Sequence, residues 1–68
     1  MTKKQMFVLI ATAVKKLQRE AGVTENVATG LILEGMRSFP DELVMNMDLL
    51  PSILQSIIEM NTGSWKLN

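Results

Sequence analysis

The chain has no cysteine and no histidine, and aromatic residues make up only 4% of it. Each shortage excludes something. Without cysteine or histidine, neither disulfides nor the commonest zinc ligands can staple the fold. The same gap removes the usual base at neutral pH and the best thiol nucleophile. Carboxylates remain, but none belongs to a recognisable catalytic constellation, and no G-x-x-x-x-G-K-[ST], G-x-G-x-x-G or G-x-S-x-G occurs. The G-x-x-x-x-G from Gly30 to Gly35 is followed by Met36 and Arg37 and falls inside a helical pattern, so it is not a phosphate loop. EF-hand spacing is absent too. The sequence therefore points away from an enzyme, and it implies no cofactor, metal or small-molecule substrate.

What is present is aliphatic. Apolar residues reach 47%, too many for a disordered chain. With so few aromatics, the core must be built from Leu, Ile, Val and Met. Sixty-eight residues make one small domain, and a single core of this size rarely supplies more than about 3–5 kcal/mol. A second copy of the chain is a standard remedy for so small a core.

The opening MTKKQMFVLIATAVKK has two lysines, an apolar run and an A-x-A at Ala11–Ala13, all features of a secretory signal peptide. Such a leader needs an apolar stretch of roughly 7–15 residues before its cleavage site. Here Met6 to Ile10 is too short, and extending the run to Val14 meets Lys15 and Lys16 instead of a site. A helix explains more of the letters. Thr2 and Gln5 form the T-x-x-Q of a capping box, and Met1 and Met6 fit the hydrophobic staple around it. Met6, Ile10, Ala13, Leu17 and Ala21 recur at helical spacing, widened by Phe7 and Val14. The expectation is a cytoplasmic protein whose N-terminal stretch is structural.

The remaining punctuation predicts an all-α bundle of four helices, at about 3–20, 25–37, 40–47 and 49–60, the third short. Gly22 ends the first helix and Thr24 caps the second, whose inward face would carry Val27, Ala28, Leu31, Ile32, Gly35 and Met36. Gly35 lies on that apolar stripe, where a small residue admits another helix, and Ala13 is expected to meet the Ala28/Gly35 face. Gly30 lies on the polar side with no packing reason. Pro40 opens the third helix, which bears Leu43, Val44 and Met47. Asp48 is the expected cap of the fourth, with Pro51 in its first turn and Leu50, Ile53, Leu54, Ile57 and Ile58 as its stripe. Gln55, Ser56 and Glu59 lie opposite. Residues 1–62 form a single helical domain, with a stop at Asn61–Gly63, and 63–68 a short tail.

Net charge is zero, but the charges are segregated. Lys3, Lys4, Lys15, Lys16 and Arg19 precede any acid, whereas residues 20–59 hold Glu20, Glu25, Glu34, Asp41, Glu42, Asp48 and Glu59 against one base, Arg37. A neutral domain is poorly suited to nucleic acid, where affinity comes mainly from phosphate neutralisation. The stretch LQREAGVTENVATGLI, residues 17–32, nevertheless resembles the turn and second helix of a helix-turn-helix, whose heart often reads A-G-V-[ST]. That resemblance implies a helix-turn-helix DNA-binding transcriptional regulator as the alternative reading. The helix that would read DNA offers Glu25, Asn26 and Thr29 at its start and no Lys or Arg before Arg37, whereas major-groove readers combine basic and amide side chains.

Protein contact is the leading expectation, with another protein or with a second copy. Val8 and Leu33 lie off the apolar stripes of their helices, each beside basic residues. Six methionines give an adaptable apolar surface, and Met45 and Met47 cannot both point inward with Leu43 and Val44. The candidate contact residues are Lys4, Val8, Lys15, Arg19, Leu33, Met45, Met47 and Trp65 in the tail. The expected surface joins the Leu50–Ile58 stripe to the Met45/Met47 region, with Lys4, Lys15 and Arg19 steering an acidic partner. Such a module is of the regulator or inhibitor type.

Overall fold

The computed structural model describes residues 2–63. These form four helices, α1 (Lys3–Ala21), α2 (Glu25–Arg37), α3 (Asp41–Val44) and α4 (Leu50–Thr62), with no strand among the described residues. The three long helices each pack on the other two, and α3 is a single turn leaning on α4. This is the small all-α bundle that the periodicity predicts, with its short third helix.

Local chemistry sets the boundaries. Thr2 Oγ1 accepts from the Gln5 amide and the Thr2 amide donates to Gln5 Oε1, both at 3.1 Å, so the reciprocal capping box forms. Its expected staple involves Met1, which lies outside the described residues. Gly22 ends α1 at φ 68°, a left-handed conformation that costs glycine nothing, and its N–H donates to the Gln18 carbonyl. Thr24 then caps α2 by accepting from the Val27 amide at 3.2 Å. Gly63, at φ 77°, closes α4 in the same left-handed way.

The third and fourth helices differ from the expected ranges. Instead of running over 40–47, α3 stops at Val44, because Asn46 breaks it: the Asn46 side chain accepts from the Asp48 amide at 2.9 Å. That local bond offers the backbone an alternative to the helical ladder. The Asn46 carbonyl also accepts from the Leu49 and Leu50 amides. Amides that a capping side chain would otherwise serve are thus already satisfied, and Asp48 is not the cap. Leu49 holds that position with no side-chain bond, and α4 grows straight out of the preceding turn.

The core is Ala13, Val14 and Leu17 from α1, Ala28 and Ile32 from α2, Val44 from α3, and Leu50, Ile53, Leu54, Ile57 and Ile58 from α4. Leu17, Ile32, Leu50 and Ile57 are its fully buried large side chains. Gly35 has the expected role of admitting another helix. A Cβ there would lie 2.7–2.8 Å from Ile57 side-chain atoms, so its missing side chain admits α4. A Cβ at Gly30 would meet nothing within 4 Å.

Three residues expected inside are outside: Phe7, Val27 and Leu43, the last 38% exposed on the single turn of α3. Phe7 is 72% exposed, because α4 covers the other edge of α1, where Leu9 lies beside Pro51 and Leu54. The Phe7 edge faces Glu25 and Thr29 of α2, which offer it little apolar cover. Val27 is 48% exposed. At 3.6 residues per turn it sits about 100° from Ala28 and about 140° from Ile32, the two buried residues of α2, and so lies off the buried stripe.

Candidate functional site

A groove between the N-terminal half of α1 and the start of α4 gathers several of the candidate residues. Lys4, Gln5, Val8 and Leu9 line it from α1, Met47 from the turn after α3, and Pro51 from α4, around a volume of about 420 Å³. Three of the residues singled out in the sequence, Lys4, Val8 and Met47, meet here. Its walls are almost wholly apolar although two lining residues are polar. The capping box explains Gln5, whose amide oxygen is turned back to the Thr2 N–H, leaving its stem on the groove. Lys4 contributes methylenes to the wall and keeps its ammonium in solvent, as long basic side chains do. Val8 is 54% exposed and Met47 half-buried.

Leu9 and Pro51 also line a second hollow of about 240 Å³, which continues between α1 and α4 past Thr12 and Lys16 to Gln55 and Ile58. At this end a polar chain ties the helices together. Lys16 Nζ donates to Gln55 Oε1 at 2.8 Å, and Gln55 Nε2 donates to Glu59 Oε2 at 3.0 Å. The helical wheel places Gln55 and Glu59 opposite the α4 stripe, yet both are half-buried. Long side chains on the flank of a helix reach a neighbour that the wheel does not show.

The other candidates are dispersed. Lys15 and Arg19 are exposed farther along the outer face of α1. Leu33 is 46% exposed on the outer face of α2, away from the groove. Met45 is 62% exposed on the turn that carries Met47, without lining the groove. Trp65 lies outside the described residues. The Leu50–Ile58 stripe, expected to form part of a contact surface, is instead core throughout. Only Pro51, between the buried positions, reaches the groove from that helix.

Electrostatically the outer face of α1 is uniform. Among the described residues the one ion pair within 4.0 Å joins Arg37 to Glu34 at 3.9 Å, both exposed. No acid lies that close to Lys4, Lys15 or Arg19. On α2, the surface that a helix-turn-helix would turn to DNA presents Glu25 and Asn26, with Arg37 held by its acidic neighbour. No three His, Cys, Asp or Glu side chains gather as a metal site among the described residues, and no described helix is long and apolar enough to cross a membrane. No family model, curated protein or solved structure matches the chain.

Proposed function

We propose that this chain is a small non-catalytic protein-interaction module of the regulator or inhibitor type, which binds through the groove between α1 and α4. The observation that carries this reading is the meeting of Val8, Met47 and Lys4 on one apolar hollow. An exposed valine and a half-buried methionine line it with a cation at its rim. Apolar grooves edged by charge are a recurring way to accept a helix or loop of another protein. The exposed Lys15 and Arg19 extend the positive face of α1 and would speed encounter with an acidic surface more than they would tighten the complex.

A cytoplasmic location belongs to the same proposal. Ala13, Val14 and Leu17 of the N-terminal helix are part of the core, so cleaving that stretch as a leader would expose the apolar faces of the other helices. The lack of cysteine fits a reducing compartment.

The immobilised chain, its Val8→Asp variant and its Met47→Asp variant, each exposed to extract from the native host, test the reading. The expected result is a protein retained by the unmodified chain and lost from both variants, whose helical circular dichroism is unchanged. Equal retention by all three, or unfolding of both variants, contradicts it.

A further inference from the structure

We infer that the occupant of this groove is a second copy of the chain, joined about a two-fold axis that passes near Val8 and Met47. The inference rests on the reading of the groove as a protein-binding surface and names its partner. Its basis is how charge is divided on either side of the apolar centre. On one side runs α1, which from Lys3 to Arg19 holds five bases and no acid. Lys4 stands at the groove itself. The turn after α3 brings Met47 to the groove, and around it in the chain stand Asp41, Glu42 and Asp48, all exposed. From Ser38 to Gly63 there is no base at all. Asp48 directly follows Met47 in the chain, so an exposed acid adjoins one lining residue while Lys4 is itself another. They do not neutralise each other within the chain, since neither forms an ion pair within 4.0 Å among the described residues.

A surface with base on one side of an apolar centre and acid on the other is its own complement under a half-turn. Rotation by 180° carries the lysines of one copy over the acids of the other, and does so twice, as the isologous contact of a two-fold dimer requires. The concave hollow also needs a projecting group to fill it. Met45 and Leu49, both exposed on the turn next to the groove, supply one from the partner copy. Methionine is well suited, being unbranched and adaptable. An unrelated acidic partner would match only the α1 side and would face repulsion from Asp48. An anionic membrane would meet the same objection. The copy matches both sides, and it adds the apolar burial that a core of this size lacks.

Sedimentation equilibrium of the full chain from about 1 µM to about 200 µM tests the inference. The expected result is a monomer–dimer equilibrium that weakens as salt rises from about 0.05 to about 1 M. Val8→Asp and Met45→Asp should each weaken the dimer about a hundredfold, because each change occurs twice in the interface. Lys4→Glu and Asp48→Lys should each weaken it about tenfold, and the double reversal should recover most of that loss. A wild-type chain that stays monomeric at the highest concentration overturns the inference, as does a dimer indifferent to both Val8→Asp and Met45→Asp. A monomeric wild type that still captures a different protein in a Val8-dependent manner overturns the second copy and supports the groove. Association and capture that both ignore Val8→Asp overturn the groove as well.

Discussion

Gly30 and Gly35 share one helix and sit in opposite environments. At Gly35 an added Cβ would stand 2.7–2.8 Å from three atoms of Ile57, a β-branched side chain that is 1% exposed and has nowhere to move. Overpacking of this kind typically costs about 1–3 kcal/mol, against roughly 1 kcal/mol gained by replacing glycine with alanine in a helix. Gly35→Ala should therefore destabilise the fold by about 1 kcal/mol on balance. In an Ile57→Ala background the same change should turn neutral or stabilising, and urea unfolding of the four proteins of the cycle measures the difference. Gly30 has no such neighbour and an ordinary helical backbone that tolerates a Cβ. Gly30→Ala should raise stability by about 0.5–1 kcal/mol, read as a higher urea midpoint at unchanged slope. The sequence supports the distinction, since Gly35 lies on the apolar stripe and Gly30 off it. It does not reveal the neighbour, because periodicity along one helix carries no information about which helix crosses it.

At the scale of elements, hydroxyl caps start α1 and α2, while α4 is started by a turn. Thr2 and Thr24 each accept a backbone amide, at 3.1 and 3.2 Å. Thr2→Ala and Thr24→Ala should each lower stability by about 1 kcal/mol, seen as a lower urea midpoint. Asn46→Ala should cost a similar amount, about 1 kcal/mol, because it removes the side-chain acceptor that organises the turn into α4. The first two helices were legible from the sequence because their signals are local: a cap, a stripe and a glycine stop lie within a few residues of one another. The end of α3 and the start of α4 were not. Asp48 and Asn46 are both good capping and turn residues, and sequence spacing favours the aspartate. The choice falls to Asn46 because its carbonyl and side chain together satisfy three amides. The widths of the stripes were also hidden. Phe7 and Val27 sit at their edges, where exposure depends on how far the neighbouring helix reaches.

For the whole molecule, the division of charge is its plainest long-range property, and it was visible before any fold was known. The N-terminal half of the basic α1 and the turn that leads into α4 meet at one hollow, where the bundle brings Lys4, Gln5, Val8 and Leu9 beside Met47 and Pro51. Lys4, Val8 and Met47 were legible as candidates individually, through charge or an off-stripe apolar position, but their convergence was not. Leu33 satisfies the same criterion as Val8 and lies elsewhere, since an off-stripe position says that a residue is outward and not what stands beside it. Pro51 and Leu9 went unnoticed for the opposite reason: one was explained by a helix start, and the other lay at the edge of a stripe. If two copies meet at this hollow, the thermal midpoint should rise with protein concentration, as it does whenever association is coupled to folding. On the proposed reading Val8 is a contact residue and not a structural one. Urea unfolding of Val8→Asp beside the wild type, at a concentration low enough to keep both monomeric, with dimer and partner binding measured on the same samples at higher concentration, tests it most directly. The expected result is a stability within about 0.5 kcal/mol of wild type, as for an ordinary surface change, together with the loss of association. A loss of several kcal/mol of stability, or full stability with full association, would contradict it.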